Sequence, residues 1–409
     1  MTKPKIELLA PAGDLEKLKT AIIYGADAVY FGGELFSLRA GAGNLSVDEI
    51  AEAMDFIHER GKRGYITINI YPHNDDIQPL RAYLNKIKHL PIDAFIVSDP
   101  GVICLIKEII PEAEIHLSTQ ANTTNYMTAR FWAEQGVKRI VTAREMSLKD
   151  IQYMREMLPE DIEIESFVHG AMCISYSGRC LLSNFMVGRD ANHGACTHPC
   201  RWKYALVEQQ RPGEYYPIEE DDRGSYIMNS GDLCLIDCIP EFVNAGITSF
   251  KIEGRMKSMY YVATTVSAYR AAIDAYMEDP VNYKFDSKWF DELCKASHRD
   301  WTHGFYFNKP TEKDQNYLTS DYSRTYSFVG LVLEEDDGNG YTIVEQRNKF
   351  SVGDEVEIFG PNTEFYTEII EEMTDEDGIT VDSAPHPQQI LKIKFKRKPG
   401  KHFILRKKK

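Results

Sequence analysis

Short apolar segments alternate with amphipathic helical segments over about the first 280 residues of this chain. Eight candidate strands occur, and each of the first seven precedes a helical segment or a long loop that leads into one. This count predicts an α/β fold, a (β/α)₈ TIM-like barrel. The predicted strands are Ile6–Ala10, Ala28–Phe31, Gly64–Ile70, Ala94–Val97, Ile115–Leu117, Arg139–Thr142, Ile162–Val168 and Ser249–Ile252.

A doubly wound Rossmann sheet is the competing architecture. The loop after its first strand usually carries a Gly-x-Gly-x-x-Gly phosphate-binding sequence. Here that loop reads Pro11-Ala-Gly13, so the barrel is favoured.

Polar groups follow the C-terminal ends of the predicted strands. In a parallel barrel these ends form the mouth where ligands bind and react. Seven strand ends predict such a mouth, and five of them carry amide, acid or guanidinium groups. The seven are Phe31-Gly-Gly33, Asn69, Ser98-Asp99, Ser118–Asn122, Thr142–Glu145, His169-Gly170 and Lys251–Arg255.

The chain is expected to have two domains. A barrel domain over 1–300 contains a cysteine-rich insertion over 170–246, and a connecting segment over 301–326 leads to a second domain over 327–409. Short alternating strands and turns from Ser327 onward indicate that the second domain is a small all-β barrel. The insertion holds six of the eight cysteines, and a connection of this length is usually functional.

Four cysteines of the insertion are candidate metal ligands: Cys173, Cys180, Cys196 and Cys200. They follow neither helical nor strand periodicity, and their gaps allow one loop to present four thiolates to one centre. Such a set suits structural zinc or an iron–sulfur cluster. Nearby histidines favour zinc, whereas the missing short knuckle between the first two cysteines disfavours it, so spacing alone leaves both open.

The other cysteines are expected to have structural roles. Cys234 and Cys238 lie four residues apart on one apolar helical face, which indicates core packing. Cys104 and Cys294 are likewise expected to be buried and inert.

The cysteine segment also carries a long motif, Glu165-x-Phe-x-x-Gly-Ala-Met-Cys-x-x-x-x-Gly-x-Cys-x-Leu-Ser183. It resembles the signature of the collagenase-like peptidases of unassigned catalytic type. The resemblance extends to Leu9-Ala-Pro-Ala-Gly13, to Lys251-Ile-Glu-Gly-Arg255 and to the C-terminal domain. Some members of this family are named proteases, whereas others are oxygen-independent hydroxylation factors with a four-iron cluster on four cysteines.

Within that family the chain most resembles the branch that forms 5-hydroxyuridine at the tRNA wobble position, with prephenate as hydroxyl donor. The resemblance implies a tRNA uridine hydroxylase with a 4Fe-4S cluster on the four insertion cysteines. Two other functions stay open: a collagenase-like metal-containing peptidase, and a non-catalytic iron–sulfur factor that binds RNA.

The predicted mouth supplies the candidate catalytic residues, which are Asn69, Gln120, Asn122, Glu253 and Arg255. We expect them to line the reaction chamber because each lies at or just beyond the end of a strand.

Prephenate is a dicarboxylate, so arginines are the expected binding residues, because a guanidinium pairs with a carboxylate through two N–H groups. Arg144 and Arg255 are the first candidates for this role, ahead of Arg39 and Arg179. His169 is a further candidate at the cofactor-binding site.

Charge is unevenly distributed along the chain. The net charge is −15, yet the last 18 residues contain ten Lys or Arg and no acid, which indicates contact with a polyanion such as tRNA. Strand alternation is expected to place Lys392, Lys394 and Lys396 on one face, whereas Lys407–Lys409 are expected to form a solvated tail.

The compartment is expected to be the cytoplasm. No segment approaches the roughly 18 apolar residues of a membrane helix, and the N-terminal residues lack the apolar core of a signal peptide. We expect no membrane contact, and we expect a partner protein that delivers the cluster.

Overall fold

The computed structural model describes residues 6–38, 43–172, 182–189, 191, 194–197, 205–207, 215–217, 220–221, 224–225, 231–308, 322–336 and 338–409. Seven parallel strands come first, each paired with the next along the chain. They are β1 (Glu7–Ala12), β2 (Ala28–Gly32), β3 (Arg63–Ile68), β4 (Ala94–Val97), β5 (Ile115–Leu117), β6 (Arg139–Val141) and β7 (Glu163–Ala171).

The helices between these strands start at capping side chains. Asp14 accepts a hydrogen bond from the Lys17 N–H, and Ser46 forms a reciprocal capping box with Glu49. The apolar face of each helix packs onto the sheet. The helices are α1 (Leu15–Ile23), α2 (Val47–His58), α3 (Asn74–Ile87), α4 (Pro100–Ile109), α5 (Tyr126–Glu134) and α6 (Leu148–Met157).

The long connection after β7 leads to the eighth barrel strand. It contains α7 (Leu182–Val187), β8 (Ala205–Val207), β9 (Tyr215–Pro217), β10 (Glu220–Asp221), β11 (Gly224–Ser225), β12 (Asp232–Cys234) and α8 (Ile239–Asn244). The strand that follows, β13 (Ser249–Ile252), pairs in parallel with both β1 and β7. The sheet therefore closes, and the prediction of a TIM-like barrel is confirmed.

Strand β7 continues beyond the closed part of the barrel. Its last residues pair antiparallel with β12. Strand β12 also pairs in parallel with β14 (Trp301–Thr302). Two helices, α9 (Met259–Glu278) and α10 (Ser287–Leu293), lie between β13 and β14 along the chain. Gly170 permits this extension because it has a φ of 108°, and a Cβ there would lie 2.6 Å from the carbonyl oxygen of Glu253.

The C-terminal domain is an antiparallel sheet of seven strands in the order β19-β18-β23-β15-β16-β22-β20, with a separate β17–β21 pair. Its ends do not pair with each other in the described structure, so the predicted β barrel is an open half-barrel. The strands are β15 (Tyr326–Glu334), β16 (Thr342–Gln346), β17 (Phe350–Ser351), β18 (Glu355–Phe359), β19 (Tyr366–Ile369), β20 (Met373–Thr374), β21 (Ser383–Ala384), β22 (Ile390–Ile393) and β23 (Ile404–Lys408).

The prediction of a solvated tail at Lys407–Lys409 is wrong. Strand β23 lies between β15 and β18, and the Lys409 N–H donates to the Thr325 carbonyl. The apolar residues Ile404 and Leu405 explain this position, because both are fully buried in the sheet. The chain end is therefore a central strand.

The predicted lysine face of the C-terminal domain is present, and one of its three lysines pairs with a carboxylate. Lys392, Lys394 and Lys396 alternate with buried apolar residues. Lys396 Nζ lies 2.6 Å from a Glu371 carboxylate oxygen, and Lys392 Nζ donates to the Glu376 carbonyl. This face is therefore less positive than the sequence suggests.

The two domains share a charged interface. The Arg406 guanidinium, fully buried, forms ion pairs of 2.7 Å with both Glu292 on α10 and Glu357 on β18. The Tyr24 hydroxyl donates to the His402 carbonyl at 2.7 Å. These contacts attach the half-barrel to the helical side of the barrel.

Four cysteines outside the metal motif differ in exposure. Cys234 and Cys238 are buried, as predicted, and Cys294 is half-buried. The prediction that Cys104 is buried is wrong: α4 buries Ile103 and Leu105 and turns Cys104 to solvent. No helix in the described ranges is long and apolar enough to cross a membrane.

Candidate active site at the mouth of the barrel

A network of charged side chains fills the N-terminal part of the barrel interior. Arg139 on β6 pairs with Glu7 on β1 at 2.5 Å and with Glu165 on β7 at 3.1 Å. The Tyr65 hydroxyl donates to Glu7 from β3. Because these strands lie on different sides of the barrel, the contacts must cross its interior.

Lys251 continues this network toward the mouth. Its Nζ lies 2.6 Å from Glu165 Oε1 and 4.3 Å from the centre of the Tyr30 ring. Burial would raise the pKa of Glu165, but the Lys251 and Arg139 cations lower it below its ordinary value. Glu165 is therefore ionised at neutral pH although it is fully buried.

Arg144 and Glu253 form a charged pair at the C-terminal end of the barrel. Arg144 Nη2 lies 3.5 Å from Glu253 Oε2, and its guanidinium carbon lies 3.9 Å from the centre of the Phe167 ring. Arg144 Nη1 donates to the Ala171 carbonyl at 3.0 Å. Arg144 is largely buried, and its Nε has no hydrogen-bond partner in the described structure. Because a guanidinium has five N–H groups, the contacts with Ala171 and Glu253 leave others for a further acceptor.

Arg255 is bound to the loop after β2. Its Nη1 donates to Ser37 Oγ at 2.7 Å and to the Leu38 carbonyl at 2.8 Å, and its Nη2 donates to Asn44 Oδ1. Gly32 is required here because a Cβ would overlap the guanidinium. These contacts make Arg255 a positioning residue of the loop, and a direct contact with substrate stays a prediction.

Asn69 also holds that loop, because its Oδ1 accepts a 3.1 Å hydrogen bond from the Leu38 N–H. Gln120 and Asn122 lie in the short 3-10 turn after β5 and at its end. Gln120 Oε1 is buried without a hydrogen-bond partner among the described atoms, and Asn122 has the left-handed φ of 52°. The three amides thus follow the ends of two strands, β3 and β5, which are separated by β4 in the sheet.

His169 lies on β7, and its ring packs against aromatic side chains of α9 and β14. Its ring centre lies 5.1 Å from that of Trp301, 5.4 Å from that of Tyr269 and 5.9 Å from that of Tyr261. Burial, and then the charge of Lys257, lower the pKa of His169 to about 3. The imidazole is therefore neutral and enclosed by aromatic rings.

The cysteine segment begins where β7 ends, two residues after Ala171. Of its four cysteines the structure describes Cys196; the others, with Arg39 and Arg179, lie outside the described residues. The Ser183 and Thr197 hydroxyls lie 3.0 Å apart, and the Thr197 N–H donates to Ser183 Oγ. The described parts of the segment thus bring Ser183 into contact with the residue after Cys196. By their chemistry, four thiolates would suit a four-thiolate metal centre.

Arg139 and Glu165 were not predicted as part of the site, and Lys251 was predicted only within the Lys251–Arg255 strand end. The signal that points to Lys251 is the alternation of polar residues along and just past β13, where Ser249, Lys251 and Glu253 follow one another at every second position. Their partners come from strands far away in sequence.

Together these features define a class: a TIM-like barrel protein with a charged mouth beside a cysteine-rich insertion. Residues 13–316 match the family model described as peptidase family U32, and residues 324–406 match the model of the peptidase family U32 C-terminal domain. The chain therefore belongs to peptidase family U32.

The curated relatives carry two kinds of name. The chain is 45% identical to tRNA hydroxylation protein P1 of Bacillus subtilis (strain 168), across 98% of this chain and 95% of the relative. It is 38% identical to tRNA hydroxylation protein P of Escherichia coli (strain K12), across 95% of each chain. It is also 31% identical to a collagenase of Porphyromonas gingivalis (strain ATCC BAA-308 / W83), across 96% of each chain.

Proposed function

We propose that this protein hydroxylates tRNA, forming 5-hydroxyuridine at the wobble position without O₂. The hydroxyl donor is prephenate, and a 4Fe-4S cluster is held by Cys173, Cys180, Cys196 and Cys200. The observation that carries the proposal is the placement of Arg144, which binds the strand end that leads into the cysteine segment. The names of the Bacillus subtilis and Escherichia coli relatives support the reaction class.

Arg144 is the residue that we assign to the donor. A guanidinium with a remaining N–H, held at the mouth, suits a carboxylate, and charge-assisted hydrogen bonds of this kind are strong. Glu253, 3.5 Å from Arg144, orients the guanidinium and disfavours a second anion on that side.

Gln120 and Asn122 are the residues that we assign to the uracil ring. Amide groups can both donate to and accept from a pyrimidine edge, and Gln120 Oε1 is a buried acceptor. The enclosing barrel excludes water from bound substrate. When bound, the cluster supplies electron-transfer chemistry beside this mouth.

The alternative is a metal-containing peptidase, which the collagenase relative and the family description favour. A nucleophile needs a base within hydrogen-bond reach. In the described part of the mouth, His169 is enclosed by aromatic rings and is not placed to act as that base. Hydroxylation is therefore the better-supported reaction.

Assays of the purified protein for tRNA hydroxylation, collagen cleavage and tRNA binding distinguish these three functions. Replacing the uracil C5–H by C5–OH removes two electrons, so the assay contains anaerobic protein with its cluster, unmodified tRNA, prephenate and an added two-electron acceptor. It should yield a uridine that is heavier by one oxygen atom in nucleoside mass spectrometry. Omission of prephenate should abolish the product. Cleavage of denatured collagen without any change in tRNA would support the peptidase, and tRNA binding without either product would support the non-catalytic RNA-binding factor.

The remaining parts of the proposal concern location and partners. We assign the protein to the cytoplasm, where tRNA is available and thiols stay reduced. We also expect a partner that delivers the cluster.

A further inference from the structure

Three potential metal ligands meet where the turn after β12 lies beside the residue that follows β14. Asp237 Oδ2 lies 3.3 Å from His303 Nε2, and Asp237 Oδ1 lies 3.4 Å from Cys238 Sγ. All three ligand groups lie within 4.8 Å of one another. Among the residues that the structure describes, no other group of three His, Cys, Asp or Glu side chains is this compact.

The distances are those of ligands around one small ion. Zinc binds sulfur at about 2.3 Å and nitrogen or oxygen at about 2.0–2.2 Å, so ligands of a tetrahedral zinc lie about 3.3–3.8 Å apart. The His303 Nε2–Asp237 Oδ2 and Cys238 Sγ–Asp237 Oδ1 separations fall in this range. A side-chain rotation that presents one Asp237 oxygen to both partners would let the three groups share an ion.

Local structure explains how the ligands come together. Asp237 and Cys238 are in the 3-10 turn Ile236–Cys238, which follows β12 and leads into α8. His303 directly follows β14, the strand that pairs with β12. The pairing of β12 with β14 therefore fixes the two ligand-bearing segments relative to each other.

The surroundings add negative charge and an unused hydroxyl. Glu241 acts electrostatically on both Cys238 and Tyr283. The Tyr283 hydroxyl is buried and has no hydrogen-bond partner in the described part of the chain. The negative charge of Glu241 near Cys238 would favour a cation there.

We propose that Asp237, Cys238 and His303 form a second metal site for zinc or a similar divalent transition metal ion. The mixed sulfur, nitrogen and oxygen donors suit such ions, whereas Mg²⁺ and Ca²⁺ favour oxygen ligands alone. The ion links the turn before α8 to the residue that directly follows β14. The site has a structural role and does not depend on the proposed hydroxylation.

The test uses the full-length, cluster-loaded protein and Zn²⁺ as the probe. Loosely bound metal is removed with a mild chelator, and zinc is titrated against a chromophoric competitor while iron is counted in the same sample. We expect one zinc per chain beyond the cluster. His303→Ala should bind zinc at least about tenfold more weakly with unchanged iron, and the exposed-histidine control His89→Ala should bind like wild type.

Zinc X-ray absorption identifies the ligands. Wild type should show one sulfur at about 2.3 Å, and Cys238→Ser should lose it. Zinc should also raise the thermal unfolding midpoint of wild type, but not of His303→Ala. Because His303 is half exposed, its substitution keeps the test valid even if Cys238→Ser fails to fold. Equal zinc affinity in wild type and His303→Ala, no uptake, or a shell of several sulfurs would overturn the proposal.

Discussion

Arg144 donates a hydrogen bond of 3.0 Å from Nη1 to the carbonyl oxygen of Ala171, and Cys173 follows Ala171 by two residues. This bond joins the loop after β6 to the end of β7. The residue that we assign to the organic donor and the start of the metal-binding segment are thus attached to the same strand end. A displacement of Arg144 should therefore also displace the end of β7, from which the cysteine segment starts.

Arg144→Ala should raise the KM for prephenate by about ten- to a hundredfold. The reason is that a hydrogen bond to a charged group contributes about 1.5–3 kcal/mol. Hydroxylated tRNA is measured at varied prephenate concentrations, together with iron content.

Arg130→Ala is the matched control, because Arg130 is exposed on α5 and pairs with Glu134. It should leave the KM unchanged. A wild-type KM for Arg144→Ala would remove Arg144 from the donor site.

Replacement of Cys173, Cys180, Cys196 or Cys200 by Ser should each remove the iron. Anaerobically purified wild type should be brown and contain about four irons per chain, because a 4Fe-4S cluster needs four thiolates. Iron analysis and visible absorption measure this. The exposed Cys104 provides the control, since Cys104→Ser should keep both iron and colour. Colourless wild-type protein with zinc bound to these four cysteines would favour a structural zinc site.

Arg139→Met should lower the free energy of unfolding by about 3–5 kcal/mol, because it leaves the buried Glu7 and Glu165 carboxylates without this cation. Urea unfolding at neutral pH measures the loss. Burial would raise the pKa of the Glu7 and Glu165 carboxyls, but nearby cations lower it below its ordinary value. The stabilisation that these two ionised carboxylates contribute is therefore present above pH 4.5, and it is lost as the pH falls through their folded-state pKa. A change below 1 kcal/mol, similar to that of a surface arginine, would show that the network contributes little.

His169→Phe should remove a pH dependence of stability. The folded-state pKa of His169 is about 3 against an ordinary 6.5, so below pH 6.5 the unfolded chain binds a proton that the folded chain does not. Wild type should therefore lose up to about 1.4 kcal/mol per pH unit between pH 6 and pH 5 from this residue. The slope of unfolding free energy against pH, compared between the two proteins, measures the effect. Equal slopes would mean that His169 becomes charged in the folded protein.

The barrel was predictable from sequence because its signal is local. Each strand is a short apolar run, and the helix caps at Asp14 and Ser46 follow local rules. The extension of β7 to Ala171 was not predictable in this way, because it depends on pairing with β12, about 60 residues further along the chain.

The candidate site was predictable in part. Strand-end position identified Arg144, Glu253 and the amides of the mouth, yet it could not show that Arg255 is bound to Ser37 and Leu38. Those partners come from another loop, and hydrogen bonds of this kind depend on tertiary structure. Likewise, the burial of the basic strand β23 depends on Ile404 and Leu405 in the half-barrel core.

The most direct test of the central claim is nucleoside mass spectrometry of tRNA from a deletion strain complemented with plasmid-borne variants. Wild type should restore 5-hydroxyuridine at the wobble position, whereas Cys173→Ser and Arg144→Ala should not restore it to the wild-type level. If plasmid-borne wild type adds no 5-hydroxyuridine to the tRNA of an anaerobically grown strain that lacks this nucleoside, the proposed function is contradicted.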